Sequence, residues 1–177
     1  MDPGGPPPGA APGPAPQDDL AGPRTRHLTA REKIHPAPAF HIAVRYEEFE
    51  HTADVGVRAY GHTLDELFVN AAEGMFSLIA DLSNLEAVGE VEVRLTADDI
   101  PTLLLRWLTE LLYVHETDRL LFSSFDAKVA GTTMLGHARG ERIDKTRHAL
   151  KVAIKAVTRH RLMVDPQKGI AEVIFDI

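Results

Sequence analysis

The sequence predicts an α+β domain in which two helices pack on a mixed or antiparallel β-sheet. Three observations carry this reading. Residues 63–81 and 99–117 repeat apolar side chains at helical spacing, each behind an N-terminal capping signal. Strand-like stretches with period-two alternation precede, separate and follow the two helices, five of them after the second. A hydrophobic content of 44% and a charged content of 25% match a chain that buries a core.

Along the chain, residues 1–40 form a compositional zone of their own. Ten of the twelve prolines lie there, mixed with Gly and Ala. Such a segment cannot bury enough apolar surface to offset its ordering entropy and reads as a disordered spacer, with a Pro-rich peptide ligand as the alternative. Its acids, Asp2, Asp18, Asp19 and Glu32, cancel Arg24, Arg26, Arg31 and Lys33, so the net charge of −7 belongs to the folded part, residues 43–177.

Arg45 to Glu50 reads as the first strand. Val55, Val57 and Ala59 alternate with Gly56, Arg58 and Tyr60 to give the second, which Gly61 ends. Thr63 and Glu66 make a capping box. Leu64, Leu67, Phe68, Ala71, Met75 and Ile79 then line one helical face. Val91, Val93 and Leu95 alternate with charged residues as a half-exposed strand. Asp98, Asp99 and Pro101 open the second helix, where acids suit the positive dipole end and proline fits the first turn. Leu104, Leu105, Leu108, Leu111 and Leu112 give it a broad apolar face, with Trp107 in a core or groove. Leu121–Ala130 and Thr132–Arg139 form a hairpin about Gly131. Val152–Thr158, Leu162–Val164 and Glu172–Phe175 follow, with a turn at Pro166 to Gly169.

Composition removes several function classes. No apolar run reaches the ~18 residues of a membrane helix, and no signal segment opens the chain. The absence of cysteine excludes disulfides, thiolate metal sites and cysteine nucleophiles, and fits a cytoplasmic setting. A chain of net charge −7 is poorly suited to grip RNA phosphates by itself; it suits a basic partner or a cation. There is no Walker-type phosphate loop and no dinucleotide fingerprint. None of Ser77, Ser83, Ser123 or Ser124 sits in a Gly-x-Ser-x-Gly elbow.

The remaining chemistry lies in acids at strand ends. The chain closes with Val173-Ile174-Phe175-Asp176-Ile177, an apolar strand followed at once by two carboxyl groups. Asp54, in His51-Thr52-Ala53-Asp54-Val55-Gly56, enters another strand. An acid there is solvated, paired or coordinating, since a lone buried carboxylate is very costly. Together the three carboxyls are hard oxygen donors of the kind Ca²⁺ or Mg²⁺ takes. Glu141, His148, Lys151, Lys155, Thr158 and His160 bring charge into an otherwise strand-like region. A lysine among apolar neighbours ordinarily reaches out to solvent.

The set His51-Thr52-Ala53-Asp54, Lys155-Ala156-Val157-Thr158 with His160, and the terminal Asp176-Ile177, in that order over Tyr46 to Ile177, resembles the archease family. The resemblance implies an α+β fold and a non-enzymatic activator of the GTP-dependent RNA ligase that joins 3′-phosphate and 5′-hydroxyl ends. Such an activator promotes guanylation and multiple turnover in tRNA splicing or RNA repair, touching RNA only through the ligase. The resemblance further implies that Asp54, Asp176 and Ile177 hold a divalent ion, calcium first, magnesium or manganese as alternatives. Glu141, His148, Lys155, Thr158 and His160 are implied to lie near that ion and to serve the ligase surface. His51 is expected behind the ligands, because histidine nitrogen matches Ca²⁺ poorly. The family's usual aromatic before the last histidine is Arg159 here.

Two other readings stand beside it. A free-standing metal-dependent hydrolase would use His51 or His160 as general base. A general chaperone would present Trp107, Phe122 and Phe125 as exposed anchors.

Overall fold

The computed structural model describes residues 44–51 and 54–177, and nothing of the side chain of His51. The Pro-rich zone 1–40 and the Thr52–Ala53 step lie outside the described residues. The elements follow in the order β1 (Tyr46–His51), β2 (Asp54–Tyr60), α1 (Leu64–Ile79), a 3₁₀ turn (Leu82–Asn84), β3 (Gly89–Thr96), α2 (Ile100–Asp118), β4 (Leu120–Ala130), β5 (Thr133–Arg142), β6 (Ala156–Val157), β7 (Met163–Asp165) and β8 (Ile170–Asp176). This is the predicted α+β order. The strands divide into two antiparallel sheets, β1-β2-β8 with β6 and β7 on the far edge of β8, and β3-β5-β4.

Both helices start where the sequence signals place them. Thr63 Oγ1 accepts the Glu66 N–H (3.1 Å), and the Glu66 carboxylate accepts from His62 N (2.6 Å). Asp99 Oδ1 accepts the Thr102 N–H (2.7 Å), satisfying a donor the helix cannot. Helix α1 packs on β2 of the first sheet and β4 of the second, and α2 packs on strands of both. A helix held from two sides buries more than one stripe. Leu67, Phe68, Ala72, Met75 and Phe76 of α1 are all fully buried.

Trp107 is fully buried, and its indole N–H donates to the Phe68 carbonyl (3.3 Å). Phe122 and Phe125 are likewise core residues, packed on Phe76 with ring centroids 5.3 and 5.5 Å away. The chaperone reading needed these three exposed; burial removes its anchors. Their apolar area is the reason, since each sits on the strand or helix face turned to the core.

One segment departs from its predicted form. The alternation over Val152–Thr158 predicts a long strand, yet only Ala156–Val157 joins the sheet. Upstream, Lys151 N and Val152 N donate to the Ile79 and Leu78 carbonyls (2.8 and 3.2 Å). These are final carbonyls of α1 that lack an intrahelical partner. A helix end, not a neighbouring strand, takes these two hydrogen bonds.

Gly140 lies opposite an irregularity in β4, where the register shifts between Phe122 and Ser124. A Cβ at Gly140 would overlap the Leu121 carbonyl. Gly140→Ala should therefore destabilise the domain by about 1–3 kcal/mol in urea denaturation. Gly89→Ala, on the paired strand and in ordinary van der Waals contact, should cost well under half as much. Equal midpoints for the two variants would contradict the close approach.

Candidate functional site

Strand alternation and register build the site. In β2, Val57 and Ala59 are fully buried against the helices; their partners in β8, Val173 and Ala171, are buried with them, as is Phe175 opposite Val55. The intervening residues occupy the opposite face. There Arg58 bonds Glu172 (2.7 Å) and Glu47 (2.8 Å), each from a neighbouring strand. Gly56 lies under the ring of Phe49, where any side chain would collide with it.

Val55 pairs Phe175. Continuing that register by one residue sets Asp54, the first residue of β2, beside Asp176, the last of β8. His51 pairs Asp54 on the other side, and Ala156 pairs Asp176. One end of the first sheet thus carries the row His51, Asp54, Asp176, Ala156 across four strands. Lys155 is anchored here twice. Its N–H donates to the Asp176 carbonyl (2.8 Å), and its ammonium donates to the main-chain oxygen of Ile177 (2.8 Å).

The donor set at this end is all oxygen and acidic, the chemistry of a hard divalent cation. Asp176 and Ile177 are exposed and Asp54 half-buried, so access is open. Among the described residues, no three His, Cys, Asp or Glu side chains come together as a metal site. The two aspartates therefore fit such an ion only with a further oxygen, and Ile177 is the adjacent one.

Glu141 and His148 form a different cluster. The Glu141 carboxylate accepts the Glu86 N–H (2.8 Å) and two Arg147 guanidinium bonds (2.9 and 3.2 Å). His148 Nδ1 accepts the Asp144 N–H (3.0 Å), which leaves the proton on Nε2, 3.3 Å from Glu141 but poorly aligned for a bond. The His148 side chain is 1% exposed. It therefore holds the Asp144–His148 turn and offers no surface to a partner. Among the described residues no hydrogen bond or ion pair joins this cluster to Asp54 or Asp176. Thr158 also works inward: its N–H and hydroxyl both donate to the Ile174 carbonyl (3.0 Å each). His160 is exposed in the excursion between β6 and β7. Arg159, in the same excursion, reaches Thr102 Oγ1 (3.3 Å) at the start of α2.

The sequence reading missed Glu86 and Arg147 as partners of Glu141. Glu86 enters through its backbone, which no side-chain pattern reveals. Arg147 belongs to a run that was legible: from Lys145 to Arg161 there are six Lys or Arg residues and no acid.

The Glu86 N–H, and after it the Arg147 guanidinium, hold the Glu141 carboxyl below its ordinary value of 4.5, against the opposing effect of burial. A carboxyl depressed in the folded state adds stability above its unfolded pKa, and that stability is lost as pH falls through the folded value. Glu141→Gln should lower the urea midpoint at neutral pH, and the gap to the parent should close on acidification below 4.5. A gap that persists unchanged into acid would contradict the ionised carboxylate as its source.

Comparison with known proteins agrees with this architecture. Residues 46–177 match the model of the archease protein family. The chain is 42% identical to protein archease of Methanothermobacter thermautotrophicus, over 75% of this chain and 98% of that protein. It is 40% identical to protein archease of Methanopyrus kandleri, over 75% of this chain and 99% of that protein. The solution structure of Methanobacterium thermoautotrophicum protein 1598 superposes with a TM-score of 0.66 at 40% identity, covering 75% of this chain and 99% of that one. With the family model matched from the first strand to the last residue, and relatives covered almost end to end, the chain belongs to the archease family.

Proposed function

We propose that this chain is a non-enzymatic, metal-binding activator of a GTP-dependent RNA ligase. It promotes guanylation of the ligase and multiple-turnover joining of RNA ends in tRNA splicing or RNA repair, and meets RNA through the ligase. The feature that supports the reading is the acid end of the first sheet, where Asp54 and Asp176 lie one residue beyond the Val55–Phe175 pair and Lys155 bonds Ile177, in a member of this family.

Asp54, Asp176 and the Ile177 carboxylate would hold the ion, with calcium the first candidate and magnesium or manganese next. A divalent ion bound there supplies positive charge to an anionic group at the partner's site. The chain's own residues do the rest. Asp54 is held by its pairing with β1 and Asp176 by its pairing with β6, which also sets Lys155 beside Asp176, and the exposure of Asp176, Ile177 and Lys155 leaves the end open to a partner. His51, paired with Asp54 in β1, would serve behind the ligands. This arrangement calls for no nucleophile in the chain itself, in keeping with a sequence that has neither cysteine nor a phosphate loop.

Asp54→Asn and Asp176→Asn should each weaken Ca²⁺ binding by about tenfold or more in titration calorimetry, with little change in melting temperature, since both lie at strand ends. One residue added after Ile177 shifts the terminal charge by about 3.5 Å along an extended chain, and should impair both Ca²⁺ binding and ligase activation. With the cognate ligase, substoichiometric chain should raise guanylation rate and turnover number under limiting GTP. Absence of divalent-ion binding at millimolar concentration would sink the metal site. A ligase equally fast without the chain would sink the activator reading.

A further inference from the structure

We propose that Lys155 is a resident counter-ion of the acid end, which a divalent cation displaces, so that loading the site releases the Lys155 ammonium. The inference rests on the metal-binding reading above and adds a regulatory element to it.

The argument begins with an oxygen that two cations would claim. The Lys155 ammonium sits 2.8 Å from the Ile177 oxygen, the donor that the two-aspartate set needs to complete a metal site. An ammonium hydrogen bond and a metal bond both draw on that oxygen's lone pairs. A dication and an ammonium crowded around it also repel each other. Both groups are exposed, and exposed pairs of this kind are weak and salt-screened. A divalent ion held by three carboxylates outbids such a pair.

The neighbouring cations do not share this position. Lys151 donates to the Ser77 carbonyl (3.1 Å), Arg147 to Glu141 (2.9 Å) and Arg159 to Thr102 (3.3 Å). Among these, Lys155 is the cation bonded at the acid end. Its backbone cannot follow the side chain away, because its N–H is tied to Asp176 and the next residue, Ala156, pairs with β8. The released ammonium therefore stays beside the bound ion, as a flexible charge with three free donors. Loading thereby turns a neutralised lysine into an accessible cation on the face proposed to meet the ligase.

Two measurements on the full-length protein test this. In calorimetry with CaCl₂, Lys155→Met should bind Ca²⁺ about two- to fivefold more tightly than the parent, and Lys155→Arg should stay near the parent. In amine acylation read by mass spectrometry, saturating Ca²⁺ should raise the modification rate of Lys155 and leave that of Lys128, held by Asp65 (2.9 Å), unchanged. Equal or weaker Ca²⁺ binding by Lys155→Met, or acylation of Lys155 indifferent to Ca²⁺, overturns the counter-ion proposal while the metal reading survives. A parent protein that binds no Ca²⁺ overturns both.

Discussion

Strand β8 is hydrogen-bonded along both edges, to β2 on one side and to β6 and β7 on the other. Its register on β2 is the constraint from which the rest of the site follows. Ala171, Val173 and Phe175 must face the helices, where all three are buried. A slip of one residue would turn them outward and drive Glu172, Ile174 and Asp176 into the core. The cost of burying two carboxylates forbids that slip. The same alternation that protects the core therefore fixes Asp176 on the outer face beside Asp54. The placement of the two acids thus comes from a packing requirement elsewhere in the strand.

The second determinant is the segment between β5 and β6. It leaves the sheet after Arg142, is held by the Glu86–Glu141–Arg147–His148 cluster, and is then tied to the last carbonyls of α1 by Lys151 and Val152. Only after these anchors does it enter β6 and deliver Lys155 to the acid end. The residues that the family resemblance singled out thus divide by physical task. Glu141, His148 and Thr158 fix the path of the chain through buried or inward-facing bonds. Asp54, Asp176, Ile177 and Lys155 stand at the open end that the path reaches. A substitution in the first group acts on stability and, through it, on the position of Lys155; one in the second acts on charge at the surface.

Helix positions were legible because their signals are local. Thr63, Glu66, Asp99 and Pro101 mark the starts, and the apolar spacing of α1 and α2 gives their length and type. The hairpin about Gly131 was legible for the same reason. The split into two sheets was not, since strand alternation says which face is apolar but not which strand is the neighbour. Residues 151–155 show the same limit: the alternation predicts a strand, yet the Lys151 and Val152 N–H groups go to a helix end. For the site, the acids at Asp54 and Asp176 could be read from their places beside apolar runs. Their adjacency was implied only by the family resemblance, because no local pattern reveals a pairing between strands more than a hundred residues apart in sequence. The anchoring role of His148 was hidden as well, since a histidine's burial is set by the loop that closes over it.

The central claim, that the β2–β8 register creates a divalent-ion site, is tested most directly by anomalous diffraction from crystals of this protein soaked in Mn²⁺ and, in parallel, in Ca²⁺. The account predicts one strong peak at the end of the first sheet, bonded to carboxylate oxygens of Asp54, Asp176 and Ile177, at about 2.3–2.6 Å for Ca²⁺. A protein that takes up no ion at that position, or one whose ion sits instead against Glu141 and Asp144, would contradict it.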